Sequence, residues 1–238
     1  MTPALPRVMV FARTPVPGQV KTRLAAEVGA ERATRIYQAL AAGTVERLRG
    51  AGVPESDLEI PWDLEIHFTP PDAGSGTLMR AWLGEGVGFV PQAEGDLGMR
   101  MDAAIRKALA GGAPAACVVA SDVPDLGPRQ VGEAFRALDG GADVVFGPSP
   151  DGGYYLVALR SPRASLFRGI PWSTPEVLEQ SLLLARREAL RVHLLEPLRD
   201  VDLAADLPPG FESSRRPIPV SGPREATSCP RANPPLSS

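Results

Sequence analysis

The sequence predicts an α/β fold with a mainly parallel sheet and helices on both faces. Strand-like and helix-like segments alternate through most of the chain, which favours units of strand, helix and strand over an all-β or all-helical arrangement. The run around Cys117 to Ala120 is continuously apolar, as expected of a strand covered on both faces. Pro128 and Thr174 stand where helices would begin, one as a first-turn proline and the other as an N-cap.

Taken in order, residues 7–12 give a first strand, and residues 30–49 carry the apolar periodicity of a long helix. A strand is expected over 58–69, where Leu64, Ile66 and Phe68 alternate with polar neighbours, the period of a half-buried strand. A short helix over 75–83, a strand over 87–91 and a helix over 97–109 come next. The buried strand at 117–120 precedes a helix over 128–138, strands over 143–147 and 154–159, a helix over 175–189 and a last strand over 191–195. From residue 208 the composition changes to Pro-Pro-Gly, Ser-Ser-Arg-Arg-Pro and Asn-Pro-Pro-Leu-Ser-Ser, with few side chains able to pack. Residues 1–207 are therefore expected to form one domain, and 208–238 a disordered, solubilising tail whose Arg215 and Arg216 could alternatively meet something acidic.

At 238 residues and 44% hydrophobic, the chain is sized for one domain with a substantial core. A net charge of -3 and a pI near 5.5 argue against a sequence-independent nucleic-acid binder, which would carry a basic face. The first residues lack a charged segment followed by an apolar one, and no stretch approaches the ~18 to 20 apolar residues of a spanning helix. A cytoplasmic protein without a membrane partner is expected. Cys117 in its apolar run and Cys229 in the tail are not expected to pair. His67 and His193 have no Cys or second His at metal-ligand spacing, so packing or surface roles are expected of them.

Chemistry concentrates in the loops. After the apolar Val8-Met9-Val10 come Phe11 to Leu24, with Pro15, Pro17 and Gly18 ahead of Lys21-Thr22-Arg23 and a helix start. Such a loop can gather cations and backbone N–H groups around a phosphate; a solvated basic turn of Arg13, Lys21 and Arg23 is the alternative. It is not a Walker-type loop, because Val20 stands where glycine must precede the lysine. Ser121-Asp122-Val123-Pro124-Asp125 directly follows the buried strand, where carboxylates can hold Mg²⁺ or Mn²⁺ against substrate phosphates. Asp125 could equally be a turn or cap residue. Asp151-Gly152-Gly153 permits a close backbone approach to a ligand, or a plain hairpin turn. Asp96 can cap a helix that carries Arg100 one turn in. Asp202 could cap a short helix containing Asp206, or join Asp122 at a metal. In a doubly wound sheet, ligands sit beyond the carboxyl ends of the strands, where these loops fall.

Six strings occur in order: F-A-R-T-P-V-P-G-Q-V-K-T-R-L, Q-A-E-G-D-L-G-M-R-M, S-D-V-P-D-L, G-P-S-P-D-G-G-Y-Y-L, P-W-S-T and D-V-D followed by D-L. Together they resemble the small GT-A-like transferases known as DUF2064, or radical-SAM/selenodomain-associated transferase 1, over residues 7–207. That family is similar in turn to 2-phospholactate guanylyltransferase and to molybdenum-cofactor nucleotidyltransferases. The resemblance implies a single-domain, Rossmann-like three-layer α/β/α sandwich that binds a nucleoside triphosphate or nucleotide sugar with Mg²⁺ or Mn²⁺. It implies glycosyl or nucleotidyl transfer to a small-molecule acceptor. Carried over by position, Arg13, Gly18, Lys21 and Arg23 would form the donor-phosphate loop, with Lys21 and Asp122 catalytic. Asp122, Asp202 and Asp200 would be metal ligands, and Asp151, Gly152 and Gly153 would line the sugar or acceptor pocket. One departure is Gly43, where relatives often carry an acid. A non-catalytic nucleotide-binding module is the alternative function.

Overall fold

The computed structural model describes residues 4–49 and 60–211. Among the described residues seven strands form one sheet: β1 (Arg7–Arg13), β2 (Asp63–Thr69), β3 (Gly88–Pro91), β4 (Ala116–Ala120), β5 (Val144–Pro148), β6 (Tyr154–Leu159) and β7 (Val192–Leu194). Their order is β3-β2-β1-β4-β6-β5-β7. The helices among the described residues are α1 (Thr22–Val28), α2 (Ala30–Arg49), α3 (Ala73–Leu83), α4 (Leu97–Ala110), α5 (Pro128–Asp139) and α6 (Val177–Arg187).

The expected mainly parallel sheet is present, with one antiparallel member. β1, β2, β3 and β4 pair in parallel, as do β5 and β7, while β6 runs against both β4 and β5. A short connection forces this exception, because a tight turn can only join antiparallel neighbours. Ser149 N donates to Gly153 O at 3.0 Å and Gly152 N to Ser149 O at 3.1 Å, so Asp151-Gly152-Gly153 is a hairpin turn.

Side-chain alternation builds the three layers. Val8, Val10 and Ala12 of β1 share one core with Cys117 and Val119 of β4, Leu156 and Ala158 of β6, and residues of α2, α3 and α5. Met9, Val118, Phe146, Val157 and Leu159 turn to the other face, against Met101, Ala104 and Ile105 of α4 and Ala185 of α6. Both faces are covered, which is why these strands are almost continuously apolar.

Several boundaries differ from expectation. β2 starts at Asp63, and residues 58 and 59 lie outside the described ones. α6 starts at Val177, because Thr174 closes the preceding turn: its hydroxyl donates to Pro171 O at 2.7 Å and accepts from Glu176 N at 3.4 Å. Pro208 to Phe211 belong to the described part, with Phe211 against the cluster of Leu24 and Val201; 212–238, including Cys229, lie outside it.

The strand order fixes the site. The chain steps outward from β1 to β2 and β3, then returns to place β4 on the other side of β1. The reversal opens a crevice between the carboxyl ends of β1 and β4, which release Arg13 and Asp122 into it.

Candidate active site

The loop after β1 is held at its root by Tyr37 of α2. The Tyr37 hydroxyl accepts from Arg13 N at 2.7 Å and donates to Arg13 O at 3.1 Å, and it lies 3.4 Å from Ser121 Oγ. One buried hydroxyl thus joins the ends of β1 and β4. The loop turns at Gly18, with φ 78, and enters α1 through Lys21, whose φ of 47 and ψ of 51 are left-handed. A non-glycine residue there costs on the order of 1 kcal/mol.

What holds Lys21 is its side chain. Its Nζ lies 2.5 Å from Asp122 Oδ2 and 3.0 Å from Asp202 Oδ1, and the side chain is only 7% exposed. Burial alone would lower its pKa, but the two carboxylates outweigh it and keep the ammonium well above the ordinary lysine value. Arg23, 72% exposed, reaches the other Asp202 oxygen at 3.2 Å.

Two devices bring the carboxylates together. Arg47 of α2 donates to Leu126 O at 2.8 Å and to Val123 O at 3.3 Å, fixing the turn that follows Asp122. Val201 N donates to Asp122 O at 3.2 Å, and the Val201 side chain is buried with Leu24, Ala33, Ile36 and Leu40. An apolar residue sunk between two acids leaves Asp200 and Asp202 both lining the cavity. Asp200 accepts from Ser149 Oγ at 3.2 Å. Its pKa is raised by burial and by the negative charges of Asp122, Asp202 and Asp151, with Lys21 opposing.

The cavity spans about 740 Å³. Its acidic side holds Asp122, Asp151, Asp200 and Asp202 against two cations, Lys21 and Arg23. Arg13 and Arg100 line the cavity as well. Arg13 donates to Gln19 O at 3.1 Å, and Arg100 to Gln92 Oε1 at 3.1 Å and Asp96 O at 3.2 Å. Among the described residues neither arginine forms an ion pair with a carboxylate. Burial, then the like charge of Arg13, lowers the Arg100 pKa. Phe11, Tyr154 and Trp172 also line the cavity. Trp172 is seated by Gly98, where a Cβ would come within 2.5 Å of the indole and 2.3 Å of Phe167 O.

The structure therefore gathers Arg13, Lys21, Arg23, Asp122, Asp151, Gly153, Asp200 and Asp202 at one cavity. Gly18 and Gly152 do not line it. Gly152, at φ 89, has its Cα against the backbone of Pro175, where a Cβ would meet the carbonyl at 2.0 Å; it docks the 171–175 loop. Asp125 is exposed in the turn closed by Leu126 N and Val123 O at 3.2 Å, which agrees with its turn alternative. Asp96 caps α4 by accepting from Met99 N at 2.8 Å. Of the two alternatives for Asp202, capping the 3₁₀ turn of Ala204–Asp206 is not what the structure shows: Asp206 accepts from Asp202 N at 3.1 Å and Leu203 N at 2.8 Å, and the Asp202 carboxylate pairs with Lys21. Gly43 faces Arg47. Tyr37 went unrecognised in the sequence, since a tyrosine inside an amphipathic helix carries no signal of its hydroxyl's partner.

The profile of DUF2064, described as an uncharacterized protein conserved in bacteria, matches residues 57–174. A crystal structure of a candidate nucleotide-diphospho-sugar transferase from Desulfovibrio desulfuricans G20 is 33% identical, over 84% of this chain and 83% of that one, with a TM-score of 0.76. The chain belongs to the DUF2064 family. Two more distant structures share the fold of this DUF2064 protein. A 4-diphosphocytidyl-2C-methyl-D-erythritol synthase from Anaerococcus prevotii DSM 20548 is 10% identical over 85% of this chain and 92% of that one, with a TM-score of 0.51. A nucleotidyl transferase from Methanothermobacter thermautotrophicus is 19% identical over 85% and 94%, with a TM-score of 0.50. No curated protein matches the sequence. Among the described residues, no helix is long and apolar enough to cross a membrane.

Proposed function

We propose that this DUF2064 protein is a metal-dependent transferase that takes a nucleoside triphosphate or nucleotide sugar as donor and passes a nucleotidyl or glycosyl group to a small acceptor. The observation that carries the reading is the convergence of Asp122 and Asp202 on one cationic centre, at 2.5 and 3.0 Å, inside the switch-point cavity. The name of the 33% identical relative, a candidate nucleotide-diphospho-sugar transferase, supports it.

The donor set fits Mg²⁺ or Mn²⁺. Among the described residues no three His, Cys, Asp or Glu side chains converge into a metal cage, and Mg²⁺ is commonly bound by one or two carboxylates with water and substrate phosphates completing the shell. Asp122 and Asp202 would hold the ion, with Asp200 beside them. The ion, when bound, would offset charge on the donor's phosphates. Lys21, Arg23 and Arg13 would hold those phosphates and stabilise charge as the leaving group departs, the dominant need of this chemistry. The acceptor attacks the donor directly, so no protein nucleophile is required. Asp151 and Gly153 would line the acceptor's side.

Thermal unfolding tests the reading. A donor should raise the Tm only with Mg²⁺ or Mn²⁺ present, since a ligand at 100 times its Kd adds about 2.7 kcal/mol of stability. The shift should vanish in Asp122→Asn. No shift across nucleoside triphosphates and nucleotide sugars, or an equal shift in the variant, would overturn it. Binding without release of pyrophosphate or nucleoside diphosphate across acceptors would make the protein a binding module.

A further inference from the structure

We infer that Lys21 occupies the divalent cation's own position in the resting protein, so that the site takes its metal as a metal–nucleotide complex and resists the free ion. The inference rests on the proposed role of Asp122 and Asp202 as metal ligands, and it adds the form in which the ion enters.

The geometry is exclusive. Lys21 Nζ stands 2.5 Å from Asp122 Oδ2 and 3.0 Å from Asp202 Oδ1, and a Mg²⁺ ion sits at ~2.0 to 2.1 Å from its oxygen ligands. An ion bound through these same two oxygens would overlap the ammonium, so at that position the two cations are alternatives. Neighbouring residues do not duplicate this arrangement. Arg23 reaches Asp202 from solvent with a side chain 72% exposed, whereas that of Lys21 is 7% exposed.

Charge counting gives the consequence. Asp122 and Asp202 are matched by Lys21 and Arg23, so a free divalent ion gains the carboxylates only by expelling a buried ammonium. Leaving a buried charge without a partner is strongly unfavourable. A nucleotide that arrives with the ion changes the exchange. Asp122 and Asp202 would then hold the ion, and Lys21 and Arg23 would exchange their carboxylate partners for the donor phosphates. Arg13 and Arg100, which line the same cavity, would receive the remaining phosphate charge. Metal entry and phosphate capture thereby become one event, and the left-handed backbone of Lys21 at the start of α1 is the point from which its side chain would swing.

Mn²⁺ titration of the nucleotide-free protein, followed by electron paramagnetic resonance of the unbound ion, tests this without any turnover. Lys21→Met removes the charge at similar length, and its Mn²⁺ Kd should fall at least 10-fold below that of the wild type. Lys21→Arg keeps a cation between the carboxylates and should bind Mn²⁺ as weakly as the wild type. If the Met variant unfolds, Lys21→Gln is read in the same way. Mn²⁺ binding that is equal or weaker in the neutral variants, while the wild type still shows a metal-dependent Tm rise with nucleoside triphosphate, would overturn the role of Lys21 and leave the transferase reading standing. No Mn²⁺ binding in any variant and no such Tm rise would overturn both.

Discussion

Among the described residues, two cations each bridge two carboxylates, one at either end of β1. At the start of the strand Arg7 pairs with Asp63 at 3.3 Å and with Glu65, whose second oxygen lies 3.0 Å from His67 Nε2. Just past its end Lys21 pairs with Asp122 and Asp202. The first group is closed on its carboxylates: Arg7 and Asp63 face each other across the β1 and β2 register and both Glu65 oxygens have partners, while Arg7 Nε has none among the described residues. The second is open, because Asp151, Asp200, Arg13 and Arg100 line the same cavity without joining the Lys21 ion pairs. Counting ion pairs would rank the two ends alike, and each borders a cavity, the first one of about 580 Å³; what separates them is that the second stands at the carboxyl ends of β1 and β4, where the strand order reverses.

The largest expected effect breaks the two ends apart by activity. Asp122→Ala and Lys21→Ala should each lower turnover about 100-fold or more, the scale for removing one electrostatic contributor, measured below the Tm of each variant. Arg7→Ala should leave turnover unchanged; parallel loss at both ends would erase the distinction. Next comes the scaffold of the open end. Gly152→Ala forces a Cβ to within 2.0 Å of Pro175 O at a left-handed φ. It should destabilise the protein by about 1 to 3 kcal/mol, as overpacking does, measured by denaturant unfolding; an unchanged midpoint would show that the 171–175 loop does not depend on that contact.

Smaller effects belong to the closed end. Arg7→Ala should cost about 1 kcal/mol of stability, the upper range for a partly exposed pair, again read from denaturant midpoints. The hydrogen bond with His67, ahead of the charge of Arg7, holds the Glu65 pKa below its ordinary 4.5. A depressed carboxylate contributes stability that is present above the unfolded pKa and lost as pH falls through the folded one. Wild-type stability should therefore decline below pH 4.5, and Glu65→Gln should flatten that slope. An identical slope in the variant would assign the acid loss to other groups.

The fold was largely legible because two-face burial leaves continuous apolar strands and the connecting helices keep their caps, as Asp96 and Pro128 show. The single antiparallel strand was half visible, in Asp151-Gly152-Gly153 as a hairpin turn. The site was legible where chemistry and turn residues coincide: Lys21 after Gly18, Asp122 after the buried strand, and two acids around Val201. It was not legible where one residue serves another across the fold. Arg47 bracing the turn after Asp122, Tyr37 joining two strand ends and Gly152 fitting under Pro175 depend on distances that local sequence does not encode. Nor does a string containing Lys21 disclose that its ammonium lies between Asp122 and Asp202, since those partners are more than 100 and 180 residues away in sequence.

The most direct test of the central claim is release of pyrophosphate or nucleoside diphosphate from a panel of nucleoside triphosphates and nucleotide sugars, with small-molecule acceptors and Mg²⁺ or Mn²⁺. The account predicts metal-dependent release from at least one donor, pyrophosphate marking nucleotidyl transfer and nucleoside diphosphate marking glycosyl transfer, and its loss in Asp122→Asn. Release that persists undiminished in Asp122→Asn, or without divalent metal, would contradict it.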